Sequence, residues 1–242
     1  AEAFTRPKRL AALAKLGFTQ SYGYFTWRTS AAELRAFVEE LAHGELAEFH
    51  RPNFFANTPD ILHEYLQTGG RAAFRVRLVL AATLAPTYGI YSGYELCENV
   101  PVRPGSEEYL DSEKYQLRHR DWEAPGNLNG DIATINRIRR ENPALQQLRC
   151  IAFHASENDA VLFFHKWAEE GGNDLLVAVN LDPFRAQETM VHVPVAALGL
   201  GPDAEFQVED LLTGARYTWR GARNYVRLDP AEQVAHVLRV VR

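Results

Sequence analysis

Cysteine is scarce in this sequence, and the motifs that depend on it are missing. The two cysteines, Cys97 and Cys150, are far apart and lack the C-x-x-C spacing of a metal or redox site. The eight histidines form no H-E-x-x-H motif, and the glycines form neither a phosphate-binding loop nor a G-x-S-x-G turn. These absences argue against metal-dependent, nucleotide-binding and serine-hydrolase functions, so we expect no metal and no cofactor.

The sequence also lacks an excess of basic residues and a long apolar run. Its 26 basic and 31 acidic residues are mixed along the chain, which leaves no basic face for nucleic acid. The apolar stretch 78–85 is too short to span a bilayer, and the N-terminus has no signal-peptide core. With 46% hydrophobic residues, the chain is predicted to be globular and cytoplasmic, without membrane or nucleic-acid partners.

The first part of the chain, residues 1–147, alternates short extended runs with amphipathic helices. Ser30 and Glu33 have the spacing of a capping box at a helix start, a second helix is predicted over 70–85, and Pro143 ends a third helix in "DIATINRIRRENP". Four strand-then-helix units imply parallel strands with helical crossovers. The pattern predicts the second half of a (β/α)8 TIM barrel.

The second part, residues 148–242, has a different texture. Short β-rich runs recur at near-regular spacing between Gly, Asn, Asp and Pro turns. The runs are "CIAFHA", "AVLFFHKW", "DLLVAVNL", "ETMVHVPV", "EFQVEDLL", "ARYTW" and "AHVLRVV". They predict a C-terminal antiparallel β-sandwich domain that begins after Gln147.

Two carboxylates follow predicted barrel strands, where the chemistry of this fold is found. Glu2 stands among small and apolar residues, which favours a partly desolvated general acid, although a frayed terminal residue is an equal alternative. Asp60 has its own structural explanation, with Thr58 as the N-cap and Pro59 as the first residue of a helix. Because paired carboxylates are the usual equipment for cleaving glycosidic bonds, the two together favour catalysis.

Five segments carry a specific resemblance to a known family. They are "AEAFTRP", "FTQSYGYFTWR", "NFFANTPDIL", "YSGYELCENVPVRPGSEEYLDSEKY" and "INRIRRENPAL". These segments resemble the GlgE-type maltosyltransferases of the α-amylase superfamily (glycoside hydrolase family 13), which extend α-1,4-glucans from α-maltose 1-phosphate. The resemblance runs through the whole barrel part and continues more loosely into the β-sandwich.

The resemblance implies a role for each candidate residue. Glu2 matches the general acid/base, and Asp60 matches the carboxylate that stabilises the oxocarbenium-like transition state. Lys114 and Tyr115 match residues that bind the maltosyl unit of the donor. The charged loop that carries them is also typical of solvated surface. Trp27 is a weaker candidate for an acceptor platform, since a tryptophan beside a strand end is more often core or rim.

The family's nucleophile is an aspartate on the strand before the one that ends in Glu2. The chain begins at Ala1 and its only methionine is Met190. We therefore expect a processed start or a C-terminal fragment, inactive alone, of a protein that is a homodimer when intact. The alternatives are another amylase-family hydrolase, a trehalose-forming mutase, or a non-catalytic glucan-binding remnant.

Overall fold

The computed structural model describes residues 1–2, 5–114 and 116–241. Within these ranges the helices are α1 (Pro7–Lys15), α2 (Ala31–His43), α3 (Glu64–Thr68), α4 (Gly70–Leu84) and α5 (Asn129–Glu141). The strands are β1 (Ser21–Tyr22), β2 (Pro52–Phe55), β3 (Tyr88–Gly89), β4 (Ile151–His154), β5 (Val161–Trp167), β6 (Asp174–Asn180), β7 (Gln187–His192), β8 (Glu205–Asp210), β9 (Arg216–Arg220), β10 (Arg223–Leu228) and β11 (Ala235–Val241). Among the described residues, no helix combines the length and the apolar character that crossing a bilayer requires.

The N-terminal part contains a small parallel sheet with the order β1-β2-β3. Ser21 pairs with Pro52, and Phe54 pairs with Tyr88. Helix α2 lies between β1 and β2 in the chain, and α3 and α4 lie between β2 and β3. The predicted parallel strands with helical crossovers are confirmed for this sheet.

Helix α2 begins where the sequence predicted. The Ser30 hydroxyl accepts a hydrogen bond from the Glu33 backbone N–H, and the Glu33 carboxylate accepts one from the Ser30 backbone N–H. Each side chain thus accepts a hydrogen bond from the other residue's backbone N–H, which has no acceptor within the helix. This is why the sequence starts a helix here. One face of α2, with Leu34, Val38 and Leu41, is buried.

The C-terminal part is built from antiparallel strands in two sheets. The larger sheet has six strands in the order β4-β5-β6-β11-β8-β9, and the smaller pairs β10 with β7. Seven of these strands coincide with the runs recognised in the sequence. The eighth, β10, was missed because Arg223, Tyr225 and Arg227 point outward and make the segment polar in composition.

The six-stranded sheet is buried on both faces at its strands β5 and β6. On β6, Leu175, Val177 and Val179 belong to a core cluster that includes α4, whereas Leu176 and Ala178 belong to a cluster that includes β7 and β10. This explains why all seven residues of β6 are buried, although antiparallel strands commonly leave one face in water. The shared core joins the two parts, and the boundary at Gln147 stays a prediction.

Lys166 on β5 is fully buried at the junction of the two parts. Its ammonium donates a hydrogen bond to the Gln147 carbonyl. This acceptor is neutral, so the bond does not neutralise the charge of the lysine. Burial lowers the pKa of Lys166 to about 7. The cationic form of this side chain therefore destabilises the fold.

We expect Lys166→Met to stabilise the protein most at pH values up to about 7. The unfolded chain holds the Lys166 proton up to the ordinary pKa of 10.5, whereas the folded chain releases it near 7. Between these values the unfolded state binds more protons, so the stability of the native protein rises with pH. Denaturant titrations should show a gain of about 1 kcal/mol or more for the variant at pH 6.5, shrinking toward pH 10. A gain that does not depend on pH would contradict this account.

Candidate functional site

Asp60 lies in a tight turn just beyond the carboxyl end of β2. The turn is closed by reciprocal backbone hydrogen bonds of 3.2 Å between Thr58 and Ile61. The Asp60 backbone N–H donates to the Thr58 hydroxyl at 3.2 Å. The interpretation of Thr58 as an N-cap and Asp60 as a residue of a helix start is therefore wrong, because the next helix begins only at Glu64 with His63 as its N-cap.

Asn57 joins three segments at this edge of the sheet. Its carbonyl oxygen accepts the Tyr91 backbone N–H at 2.8 Å, and its amide donates to the Tyr109 hydroxyl at 2.6 Å. Asn57 is completely buried, and Tyr109 is nearly so. One amide thus fixes the end of β2 against the segment after β3 and against the long loop between β3 and α5. The sequence offered a signal for it, since Asn57 begins the N-T-P-D segment.

The long loop brings Lys114 onto Asp60. The Lys114 ammonium forms an ion pair with the Asp60 carboxylate and lies 3.6 Å from a Glu108 carboxylate oxygen. The Lys114 side chain is 25% exposed and that of Asp60 is 40% exposed, so the pair is open to a ligand from one side. These two sequence-predicted residues are brought together, although they are 54 positions apart.

An ion-pair network around the buried side chain of Arg120 connects other parts of this loop. Arg120, whose side chain is 3% exposed, lies 2.9 Å from carboxylate oxygens of both Glu98 and Glu113. Burial opposes its charge, yet the hydrogen bonds to Glu98 and Glu113 outweigh burial and raise the pKa of Arg120. Charge-assisted bonds of this kind fix the loop's path. Sequence reasoning missed the network because its members are spread over a charged, irregular segment.

Glu2 lies beside the carboxyl end of β1. The Ala1 carbonyl accepts the Tyr22 backbone N–H at 3.2 Å, which sets the first residues beside β1. Burial raises the pKa of Tyr22, and the charges of Glu2 and Asp60 raise it further. Glu2 itself is exposed in this chain.

Trp27 lies in a single turn of 3-10 helix that follows β1. Its indole N–H donates to both Glu107 carboxylate oxygens at 3.0 Å. Arg77 of α4 stabilises the turn by donating hydrogen bonds to the carbonyls of Phe25 and Arg28, at 2.6 Å each. Burial lowers the pKa of Arg77 to about 10, and these carbonyls satisfy its guanidinium instead of a carboxylate.

Tyr115, predicted to grip the donor, lies outside the residues that the structure describes. Within the described part of the chain, no group of three or more His, Cys, Asp or Glu side chains is arranged to hold a metal ion. The site as described consists of carboxylates, a lysine and aromatic rings.

Comparisons with known proteins give a consistent result. A protein-family model described as "GLGE, C-terminal" matches residues 153–240. The α-1,4-glucan:maltose-1-phosphate maltosyltransferase 1 of Streptomyces coelicolor is 56% identical over 246 residues, which cover 100% of this chain and 36% of the relative. The enzyme of that name from Rhodospirillum rubrum is 53% identical over 240 residues, covering 99% of this chain and 35% of the relative. The chain thus spans about a third of the length of these curated relatives.

Solved structures resemble the chain in fold. The α-amylase of Geobacillus thermoleovorans in complex with acarbose has a TM-score of 0.69 and 15% sequence identity, covering 100% of this chain and 52% of the amylase. At this identity the likeness concerns the fold alone. The chain therefore has the fold of about half of an α-amylase.

Asn57→Ala should loosen the site. Removing the amide leaves the part-buried Tyr91 N–H and the buried Tyr109 hydroxyl without their partner, at a cost of about 1–3 kcal/mol in unfolding free energy. Hydrogen exchange should quicken at Tyr91 and around Tyr109. Asn99→Ala serves as the control, because that amide makes one 3.0 Å bond to the Gln67 carbonyl outside the site. Equal effects of the two variants on exchange at Tyr91 would refute the bridging role.

Proposed function

We propose that this chain, which belongs by sequence to the α-1,4-glucan:maltose-1-phosphate maltosyltransferase family, is part of a retaining glycosyltransferase. The complete protein would transfer maltosyl from α-maltose 1-phosphate to the non-reducing end of an α-1,4-glucan and release phosphate. The whole-chain identity to enzymes of that name supports the family. Because the chain spans about a third of those relatives, the reaction is proposed for the complete gene product.

One observation carries the catalytic assignment: Ala1 is bonded to Tyr22 at the carboxyl end of β1, and Asp60 follows the carboxyl end of the neighbouring strand β2. Cleaving a glycosidic bond needs one carboxyl group to move a proton and others to stabilise positive charge at the sugar ring. We assign Glu2 as the acid that protonates the leaving phosphate and later takes the proton of the acceptor hydroxyl. Asp60, ionised beside Lys114, holds hydroxyls of the reacting ring.

Lys114 is proposed to bind the maltosyl unit with Tyr115. An ammonium has three donors, so Lys114 can keep its bond to Asp60 and still donate to a sugar hydroxyl. Trp27 is proposed as an acceptor platform. Its indole N–H is bonded to Glu107, which fixes the ring in one orientation.

We base the proposed architecture of the complete protein on the same similarity to the maltosyltransferases. Residues 1–147 would form the second half of a (β/α)8 barrel, and residues 148–242 would form the C-terminal β-sandwich domain. A retaining mechanism also needs a nucleophilic carboxylate. We propose that residues outside this chain supply the nucleophile, so that the 242 residues alone have no transferase activity.

The decisive assay measures phosphate release from α-maltose 1-phosphate with a short maltooligosaccharide acceptor. The complete gene product should release phosphate and lengthen the acceptor by two glucose units, whereas the 242-residue chain should do neither. Glu2→Gln and Asp60→Asn should each lower kcat by about a hundredfold or more. Asp159→Asn is the control, since this exposed residue lies in the β4–β5 connection away from the site.

The same assay separates the alternative functions. Shortening of an unphosphorylated glucan without phosphate release would indicate a hydrolase, and formation of trehalose would indicate a mutase. If Glu2→Gln and Asp60→Asn both release phosphate and lengthen the acceptor at the native rate, these carboxylates are not catalytic. A complete protein that binds glucan without any turnover would support a non-catalytic remnant.

Lys114→Met tests donor binding separately from chemistry. If Lys114 grips the maltosyl unit, the KM for α-maltose 1-phosphate should rise about tenfold or more, because a charge-assisted hydrogen bond is lost. Lys8→Met, on the exposed face of α1, is the matched control. A fall in kcat at unchanged KM would show instead that Lys114 acts through Asp60.

A further inference from the structure

The side chain of Glu107 links the long loop to the turn that follows β1. Its two carboxylate oxygens each accept the indole N–H of Trp27 at 3.0 Å, although the two residues are 80 positions apart. The indole N–H is the one donor of a tryptophan side chain, so this bond uses the whole hydrogen-bonding capacity of the ring. A ligand that stacks on the face of the ring would not compete for this donor.

The backbone around Glu107 is anchored to the segment that follows β2. The Glu107 carbonyl accepts the Leu62 N–H at 2.6 Å. The side-chain amide of Gln67 donates to the carbonyl of Ser106 at 2.8 Å and to that of Leu62 at 2.7 Å. Because these bonds hold the main chain of the loop, the Glu107 carboxylate starts from a fixed position and can hold Trp27 in one orientation.

The main chain of the turn that carries Trp27 is fixed separately. Arg77 donates to the carbonyls of Phe25 and Arg28. These bonds do not reach the indole ring, whose orientation depends on the two rotatable bonds of the tryptophan side chain. The bond to Glu107 therefore selects one of the orientations that the fixed turn allows.

The same stretch of the loop also contacts the proposed donor side of the site. Glu108, the next residue along the chain, has a carboxylate oxygen 3.6 Å from the Lys114 ammonium, which is paired with Asp60. Adjacent side chains of one anchored segment thus contact the lysine proposed to bind the donor and the tryptophan proposed to bind the acceptor. The placement of the acceptor platform therefore depends on the loop that binds the donor.

We propose that Glu107 is a positioning residue for the acceptor step, and that the donor-binding loop sets the acceptor platform through it. The assignment rests on the proposed function, in which Trp27 is the surface on which the acceptor glucan stacks. With the carboxylate in place, the ring is held before the sugar arrives, and stacking does not have to restrict its rotation. Without the carboxylate, each acceptor must bind a ring that has several orientations, so transfer to the acceptor is slower.

Steady-state kinetics of the complete gene product separate the two halves of the reaction. A retaining transferase first forms and then transfers a glycosyl-enzyme, so kcat/KM for α-maltose 1-phosphate reports the first half and kcat/KM for maltotetraose the second. Glu107→Ala should lower kcat/KM for maltotetraose about three- to tenfold, the cost of ordering one side chain, and leave kcat/KM for the donor at the native value. Glu107→Gln should restore most of the acceptor value, because its amide oxygen still accepts the indole N–H.

Two further variants identify the bond as the cause. In Trp27→Phe the ring carries no N–H, so adding Glu107→Ala should lower kcat/KM for maltotetraose no further. Glu123→Ala, which removes an exposed carboxylate of the same loop, should match the native protein in both half-reactions. Equal losses in the two half-reactions for Glu107→Ala, or additive losses in the double variant, would show a general role in loop stability and overturn the proposal.

Binding without turnover distinguishes this proposal from the proposed function. Isothermal titration with maltotetraose should give a Kd about three- to tenfold higher for Glu107→Ala than for the native complete protein, and a nearly native Kd for Glu107→Gln. If no protein releases phosphate from α-maltose 1-phosphate but this difference in Kd is found, the positioning role stands and the transferase assignment falls. If the native protein transfers maltosyl units while Glu107→Ala keeps the native kcat/KM for maltotetraose, the transferase stands and the positioning role falls.

Discussion

The burial of β5 and β6 on both faces of the six-stranded sheet is the constraint on which the rest of the structure depends. Residues of β5 and β6 that point toward the N-terminal part share a core cluster with α4. Helix α4 is in turn buried along most of its length, and its Arg77 holds the carbonyls of Phe25 and Arg28. Packing in the β-sandwich is thereby linked to the turn that carries Trp27.

Buried polar side chains with hydrogen-bond partners impose a second constraint on the structure. Asn57 ties two strand ends to the long loop, and Arg120 joins Glu98 and Glu113 within that loop. These contacts stabilise an irregular segment that has no regular hydrogen-bond ladder of its own. Through them, Lys114 reaches Asp60 from a distant part of the chain.

The proposed active site brings groups of opposite charge together at the edge of the parallel sheet. Asp60 pairs with Lys114, and a Glu108 carboxylate oxygen lies 3.6 Å from the same ammonium. Carboxylates and a lysine thus surround the place where a sugar ring would react.

The sequence by itself determined the local elements. The capping box of Ser30 and Glu33, the extent of α4 and seven of the eight β-sandwich strands were predicted because each depends on residues close together in the chain. Tertiary structure alone decided that Asp60 lies in a turn, that Lys114 pairs with it, and that Asn57 bonds to both Tyr91 and Tyr109. These features depend on contacts between residues that are distant in sequence, and no periodicity or spacing records such contacts.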